Sequence, residues 1–338
     1  MKKKVSLKDI ARELGVSAAL VSYVLSNKEK EGRVGKEMAR KIRETAERMN
    51  YQPNYIARSL RSMKTDTIGL IVADISNPFF ANLARIIEDE AYRNNYTVII
   101  GSSDESPSKM EKVLNILISR QVDGLIIVPT EKSSQLINLL KESSIPFVLM
   151  DRYFKSIPSH CVVIDNYQAS RNAVQYLMNK GYKRMGVISF RSGLSHFKDR
   201  VNGFREGLFH AGIPIQKELI KKIDFQNIDE EIKRGIKDLF FNQKVEAIYF
   251  TNNTLATRGL KAMFRMGIHI PDDVDVMAFD KSEAYNFLEY PVPHVSQPIR
   301  EMGLKAVELL IDQFDGKNGN KIQKVLLETK IEVNQHIG

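Results

Sequence analysis

The sequence predicts an all-α N-terminal domain of helix-turn-helix type, followed by an α/β core of two parallel-sheet lobes. Three observations carry this. Residues 5–25 read as two short capped helices broken at Gly15, the chain's positive excess lies wholly in residues 1–64, and from Thr67 onward short β-branched runs alternate with helical stretches.

The helix pair comes first. Ser6 followed by Asp9 is an S-x-x-D capping pattern, and Ile10, Ala11 and Leu14 recur behind it at helical spacing. Gly15 is free to take the left-handed conformation that ends a helix, and Ser17 is a good cap for the next one. On that second helix Val21, Val24 and Leu25 fall on one side, and Ala19, Ser22, Tyr23 and Ser26 on the other. A small helix with small or hydrogen-bonding residues outward, joined to another by a tight glycine turn, fits a DNA major groove. A third helix is predicted over Lys36–Met49, with Ile42, Ala46 and Met49 on one face and Asn50 as its terminator; the charged loop NKEKEGR precedes it. Pro53 then opens a helix-forming stretch, Asn54–Ser62, of only about two turns. Helices shorter than about 12 residues are marginal in water, so this segment is expected to order only when something holds it. A plain flexible linker is the alternative, and charge and length alone do not separate the two.

Charge adds to the pattern. Residues 1–64 hold 16 Lys and Arg against 7 Asp and Glu, whereas residues 65–338 hold 34 against 34. A basic domain joined to a neutral one is the electrostatic footprint of polyanion binding.

The core is read from its apolar runs: 68–73, 97–101, 124–129, 147–151, 161–165, 184–190, 247–251 and 274–279. Runs apolar throughout suit strands covered on both faces, and intervening helices make βαβ units in two sets. Ligands of open α/β sheets bind beyond the carboxyl ends of the strands. Residues 74–80, 104, 151–152, 190–200, 252–253 and 280 are therefore the candidates.

Other classes find little support. Cys161 is the one cysteine, so no intramolecular disulfide forms, in keeping with a reducing cytoplasm. Lys2–Lys4 precede a repeatedly charged segment rather than the apolar core of a signal peptide, and no run approaches the roughly 20 residues of a membrane span. A soluble, cytoplasmic chain is expected. The six histidines show no metal-ligand spacing, and no dinucleotide fingerprint, phosphate loop or G-x-S-x-G elbow is present. No cofactor, metal or catalytic residue is expected.

The segments VSLKDIARELGVSAALVSYVLS, YQPNYIARSLR, IGLIVADISNPFF, IPDDVDVMAFD and VSQP, in this order, resemble the LacI/GalR family of bacterial transcriptional regulators across essentially the whole chain. The resemblance implies a helix-turn-helix domain over residues 1–52, a hinge helix or linker over 53–66, and a core over 67–338 similar to type I periplasmic sugar-binding proteins. It also implies a homodimer on a pseudo-palindromic DNA operator. A small effector between the lobes, with a carbohydrate leading and a nucleobase second, would tune DNA affinity. By position, Ala18, Ala19 and Tyr23 match base-reading residues, and Ser17, Leu20 and Ser22 match backbone- or base-contacting ones. Ser6 and Arg33 complete the expected DNA set, and Asn54, Ala57 and Leu60 match the minor-groove hinge, with Leu60 as the wedge.

The chain also departs from the family pattern. Leu20 stands where Thr is usual, Tyr23 where Arg is frequent, and Gly35 and Met38 where Ser or Thr is preferred. The loop before Gly35 is about three residues longer than usual, and Lys28, Lys30 and Arg33 are basic residues available to compensate. In the core, Asn77, Phe79, Phe80, Asp151, Arg200, Phe225, Asn252 and Asp280 match effector-contacting positions, and Asn253 replaces a common Asp. Two rivals from other classes remain at this point, a solute-binding module and an α/β enzyme on sugars or nucleotides. The missing export signal and the basic helix pair count against the first, the missing catalytic constellation against the second.

Overall fold

The computed structural model describes residues 5–51, 64–317 and 321–333. The chain divides into two compact units, Met1–Thr65 and Asp66–Gly338.

In the first unit α1 (Leu7–Leu14), α2 (Ala18–Leu25) and α3 (Lys36–Arg48) surround a small core. The Asp9 carboxylate accepts from the Ser6 N–H at 2.9 Å and from its hydroxyl at 2.6 Å, fixing the start of α1. Gly15 ends that helix at φ 65°, and the Ser17 hydroxyl accepts the Leu20 N–H at 3.1 Å to open α2. Ile10, Val21, Val24 and Ile42 are sealed from solvent between the three helices. The third helix ends one residue earlier than its pattern predicts, and Asn50 then turns left-handed at φ 51°.

The second unit holds two six-stranded sheets. One runs in the order β11-β5-β4-β3-β1-β2, from β1 (Thr67–Val72), β2 (Thr97–Ser102), β3 (Gly124–Ile127), β4 (Phe147–Met150), β5 (Cys161–Ile164) and β11 (Lys324–Leu327). The other runs β12-β10-β9-β8-β6-β7, from β6 (Met185–Phe190), β7 (Ile220–Ile223), β8 (Ala247–Phe250), β9 (Asp275–Phe279), β10 (Pro293–Ser296) and β12 (Lys330–Val333). Neighbouring strands are parallel throughout, β1 pairing with β2 from Thr67 opposite Thr97, except that β12 runs antiparallel to β10.

Helices α4 (Pro78–Arg93), α5 (Pro107–Ser119), α6 (Ser134–Glu142) and α11 (Ile299–Phe314) accompany the first sheet. The second is accompanied by α7 (Asn166–Asn179), α8 (Ser195–His210), α9 (Ile228–Lys237) and α10 (Asn253–Arg265). The chain thus crosses between lobes after β5, after β10 and after β11. One apolar cluster, from Ile68 and Leu83 to Tyr249 and Phe279, runs through both lobes. Four strands escape the sequence pattern. Lys221 and Lys222 interrupt β7, β10 lies in a proline-rich stretch, and β11 and β12 carry Lys324, Lys330 and Glu332. Three of the four are sheet edges, where charge discourages pairing with other chains. Among the described residues no helix is long and apolar enough to cross a membrane.

Candidate functional site

In the first unit the two faces of α2 do different work. Ala19 and Tyr23 are exposed, Tyr23 by 39 %, and Ser22 is half-buried beside them. Ala18 and Leu20, expected to face DNA, pack partly against the core, because a helix of eight residues this close to its partners buries more than one stripe. The hydroxyls of Ser6 and Ser17 are likewise engaged in capping, so their first role is to shape the helix starts. Arg33 is exposed in a left-handed turn at φ 50°. Asn54, Ala57 and Leu60 lie outside the described residues.

In the second unit the carboxyl ends of β1, β2, β4, β6, β8 and β9 converge on a cavity of about 360 Å³ lined from both lobes. All eight core residues picked out in the sequence line it. Asn77, Phe79 and Phe80 come from the start of α4, Asp151 follows β4, and Arg200 lies on α8. Phe225 follows β7, Asn252 caps α10 and Asp280 follows β9. Phe190, His196 and Phe197 join them from the stretch after β6, Asp74, Asp104 and Arg152 from the other strand ends. Glu105, Ile228, Thr254, Arg258 and Gln297 were not anticipated, although the VSQP segment contains Gln297.

Of the two buried guanidiniums, Arg152 is largely satisfied by the protein and Arg200 only in part. Arg152 forks onto Glu105 at 2.7 and 2.8 Å and touches Asp151 at 3.2 Å. Arg200 donates to Asn166 Oδ1 at 2.8 Å and to the Thr251 carbonyl at 2.7 Å, with its plane 3.4 Å over the Phe279 ring. Two of its five N–H groups are thus met inside the protein, both by neutral acceptors. Two amides behave similarly. Asn252 spends its oxygen on the N–H groups of Thr254 and Leu255. Asn77 caps α4 through Phe79 and exchanges reciprocal bonds of 3.3 and 3.0 Å with Asn253 across the cleft. A second bond across the cleft, 2.7 Å, joins the Ser192 hydroxyl to Glu131.

The acceptors are less satisfied. Burial pushes the Asp280 carboxyl up to about 6, against the pull of Arg200 and of the Gln297 amide, which donates to it at 2.6 Å. Burial also raises Asp151, opposed by Arg152 and Arg200. His196 is driven well down by burial and by the same two arginines, so it is neutral at ordinary pH. Its Nδ1 and the Gln297 Oε1 are buried without a protein partner. Around these polar groups Phe190 and Phe225 stack at 3.8 Å and 8°, and Phe79 and Phe80 meet edge to face at 5.0 Å. Such a chamber presents hydrogen-bond acceptors and aromatic ring faces to its interior.

Fold and site define a two-lobed small-molecule-binding protein with a helix-turn-helix domain. Comparison with known proteins identifies the family. Residues 65–333 match the periplasmic binding proteins and sugar-binding domain of the LacI family, and residues 6–54 match the bacterial regulatory proteins of that family. The chain belongs to the LacI family: it is a DNA-binding transcriptional regulator with an effector-binding core, not an enzyme. It is 33 % identical to the ribose operon repressor of Halalkalibacterium halodurans, over 92 % of this chain and 91 % of that protein. It is 28 % identical to the transcriptional repressor PurR of Photobacterium profundum, over 93 % of each. Its fold matches that of the lac repressor dimer bound to operator and the anti-inducer ONPF, with a TM-score of 0.84 at 19 % identity, covering 99 % of each chain.

Proposed function

We propose that the protein is a cytoplasmic, homodimeric repressor of a pseudo-palindromic operator, and that a neutral carbohydrate in the cleft sets its DNA affinity. Ala19, Ser22 and Tyr23 face the bases, with Arg33 at the phosphates and Asn54, Ala57 and Leu60 in the minor groove. The observation that carries the choice of effector is the state of the cleft's charges. Arg152 is ion-paired to Glu105 and Arg200 uses two of its five N–H groups on Asn166 and Thr251, while Asp151, Asp280 and Gln297 Oε1 remain as acceptors. A phosphorylated sugar would bring negative charge toward the buried carboxylates Asp151 and Asp280, and two of the three arginines lining the cavity are already ion-paired, Arg152 with Glu105 and Arg258 with Asp229. A neutral sugar offers hydroxyl donors to those acceptors and its C–H face to Phe190, Phe225 and Phe80.

A purine base is the second reading, favoured by the parallel Phe190–Phe225 pair and by the likeness to a PurR repressor. A thermal-shift panel of neutral sugars, the matching sugar phosphates and purine bases separates the two. Stabilisation by a neutral sugar and not by its phosphate supports the first reading. Stabilisation by a base alone replaces it, and a preference for phosphates overturns the charge argument.

A further inference from the structure

The loop between α2 and α3, longer than usual for the family, closes on the outward aromatic of the reading helix. Built onto the Gly32 backbone, a Cβ would lie 2.6 Å from Tyr23 Cγ and 2.8 Å from its Cβ and Cδ2. Only a residue without a side chain lets the loop approach this closely. The loop is tied down on both sides of the contact. The Lys28 N–H donates to the Tyr23 carbonyl at 2.8 Å, the Gly32 N–H to the Lys28 carbonyl at 3.0 Å, and the Val34 N–H to the Glu29 carbonyl at 2.9 Å. Glu29 is also ion-paired to Arg43 on α3. Asn27 and Arg33 hold left-handed backbones, φ 55° and 50°, at the two ends of the turn. For Arg33 that conformation is uncommon, as expected of a loop held to one shape by its surroundings.

We infer that Gly32 is a positioning residue for DNA readout: the inserted loop seats the Tyr23 ring against the Gly32 backbone and so aims the side chain that α2 offers to the bases. This rests on the reading of α2 as the recognition helix. Tyr at this position has no bidentate fork, so its base preference depends on how firmly its ring is held. Burying one ring edge against the loop leaves the rest of the ring, and the hydroxyl, to the groove.

The test uses the full chain and a duplex enriched from a randomised double-stranded DNA library by the wild-type protein. Gly32 has no left-handed backbone, so Gly32→Ala adds a methyl group without backbone strain. The variant is expected to weaken binding to the enriched duplex about tenfold and to broaden preference at the same base positions that Tyr23→Ala broadens. The double variant of Gly32→Ala with Tyr23→Gly should bind no more weakly than Tyr23→Gly alone, since the Tyr23 Cβ, 2.8 Å from the added methyl group, is then gone as well. If Gly32→Ala unfolds the helical domain in circular dichroism, adding Tyr23→Gly, which also removes the Cβ, should restore the folding that Tyr23→Gly shows alone. Failure to restore it overturns the contact. Wild-type preference in Gly32→Ala, or strictly additive losses in the double variant, overturns the positioning role while leaving α2 as the reader. An unchanged preference in Tyr23→Ala overturns the assignment of Tyr23 as well. Failure of the wild-type protein to enrich any duplex overturns the recognition-helix reading on which both depend.

Discussion

Replacing Asp280 by Asn should stabilise the protein while removing effector binding. In the folded chain the carboxyl titrates near 6 rather than at its usual 3.8, because it is buried and neither Arg200 nor the Gln297 amide fully offsets the loss of water. A rise of that size means that ionised Asp280 costs the native state about 3 kcal/mol relative to the protonated form. For an acid with a raised native pKa, the stability is fully present below 3.8 and is lost as pH climbs through about 6. Asn is a permanent mimic of the neutral form, and its carbonyl can still accept the Gln297 N–H bond of 2.6 Å. At pH 8 Asp280→Asn should therefore melt higher than the wild type by about 6 °C, at roughly 2 °C per kcal/mol for a unit of this size. The gap should close toward pH 4. Thermal melts by circular dichroism across that range check it, and the same melts with ligand should show the shift lost in the variant. A variant that melts below the wild type at pH 8, or a gap that does not change with pH, would refute the reasoning. The exchange of stability for an ionised group in a binding cleft is typical of functional sites.

Arg200→Met leaves Asn166 Oδ1 and the Thr251 carbonyl without their donor and the buried Asp280 carboxylate without its cation; a loss of about 3–5 kcal/mol in denaturant titrations is expected, and a loss under 1 kcal/mol would show that Arg200 is not structurally engaged. Gly203→Ala drives a methyl group into the Tyr167 carbonyl oxygen where α7 and α8 pack, and should cost about 1–3 kcal/mol, read from the same titrations as a lowered midpoint at constant slope. Ser17→Ala removes the cap of α2 and should cost about 1 kcal/mol of the first unit's stability, seen as earlier loss of helical signal. DNA binding should fall steeply and log-linearly with salt and vanish on deletion of residues 1–64; binding that survives the deletion would remove the helix pair from its role.

The legible features were the ones governed by short-range rules. The caps at Ser6 and Ser17, the glycine stop at Gly15 and the two-sided apolar strands all depend on neighbours within a few residues, and the structure forms each of them, except that β2 lies at a sheet edge and is only partly covered. The cavity residues followed from one topological rule, since whatever comes just after a parallel strand lies at its carboxyl end. Partnership was not legible. Nothing local says that Arg152 will fork onto Glu105, that Asn77 will bond Asn253 across the cleft, or that Arg200 will be met by Asn166 and Thr251. These pairs form between distant segments. The edge strands β7, β11 and β12 were missed because their lysines and glutamate, which protect a sheet edge, erase the apolar signal. Gly32 looked like an ordinary loop glycine until Tyr23 was found against it.

The central claim is that the cleft controls the DNA-binding unit, and DNA affinity measured with and without a cleft ligand tests it most directly. Fluorescence anisotropy on the enriched duplex, with and without the neutral sugar that raises the melting temperature, should show DNA affinity changing about tenfold or more in the wild type. In Asp280→Asn, folded and at least as stable, the same sugar should leave DNA affinity unchanged. Identical DNA affinity in the sugar-saturated and sugar-free wild type would contradict the account, as would an undiminished response in the variant.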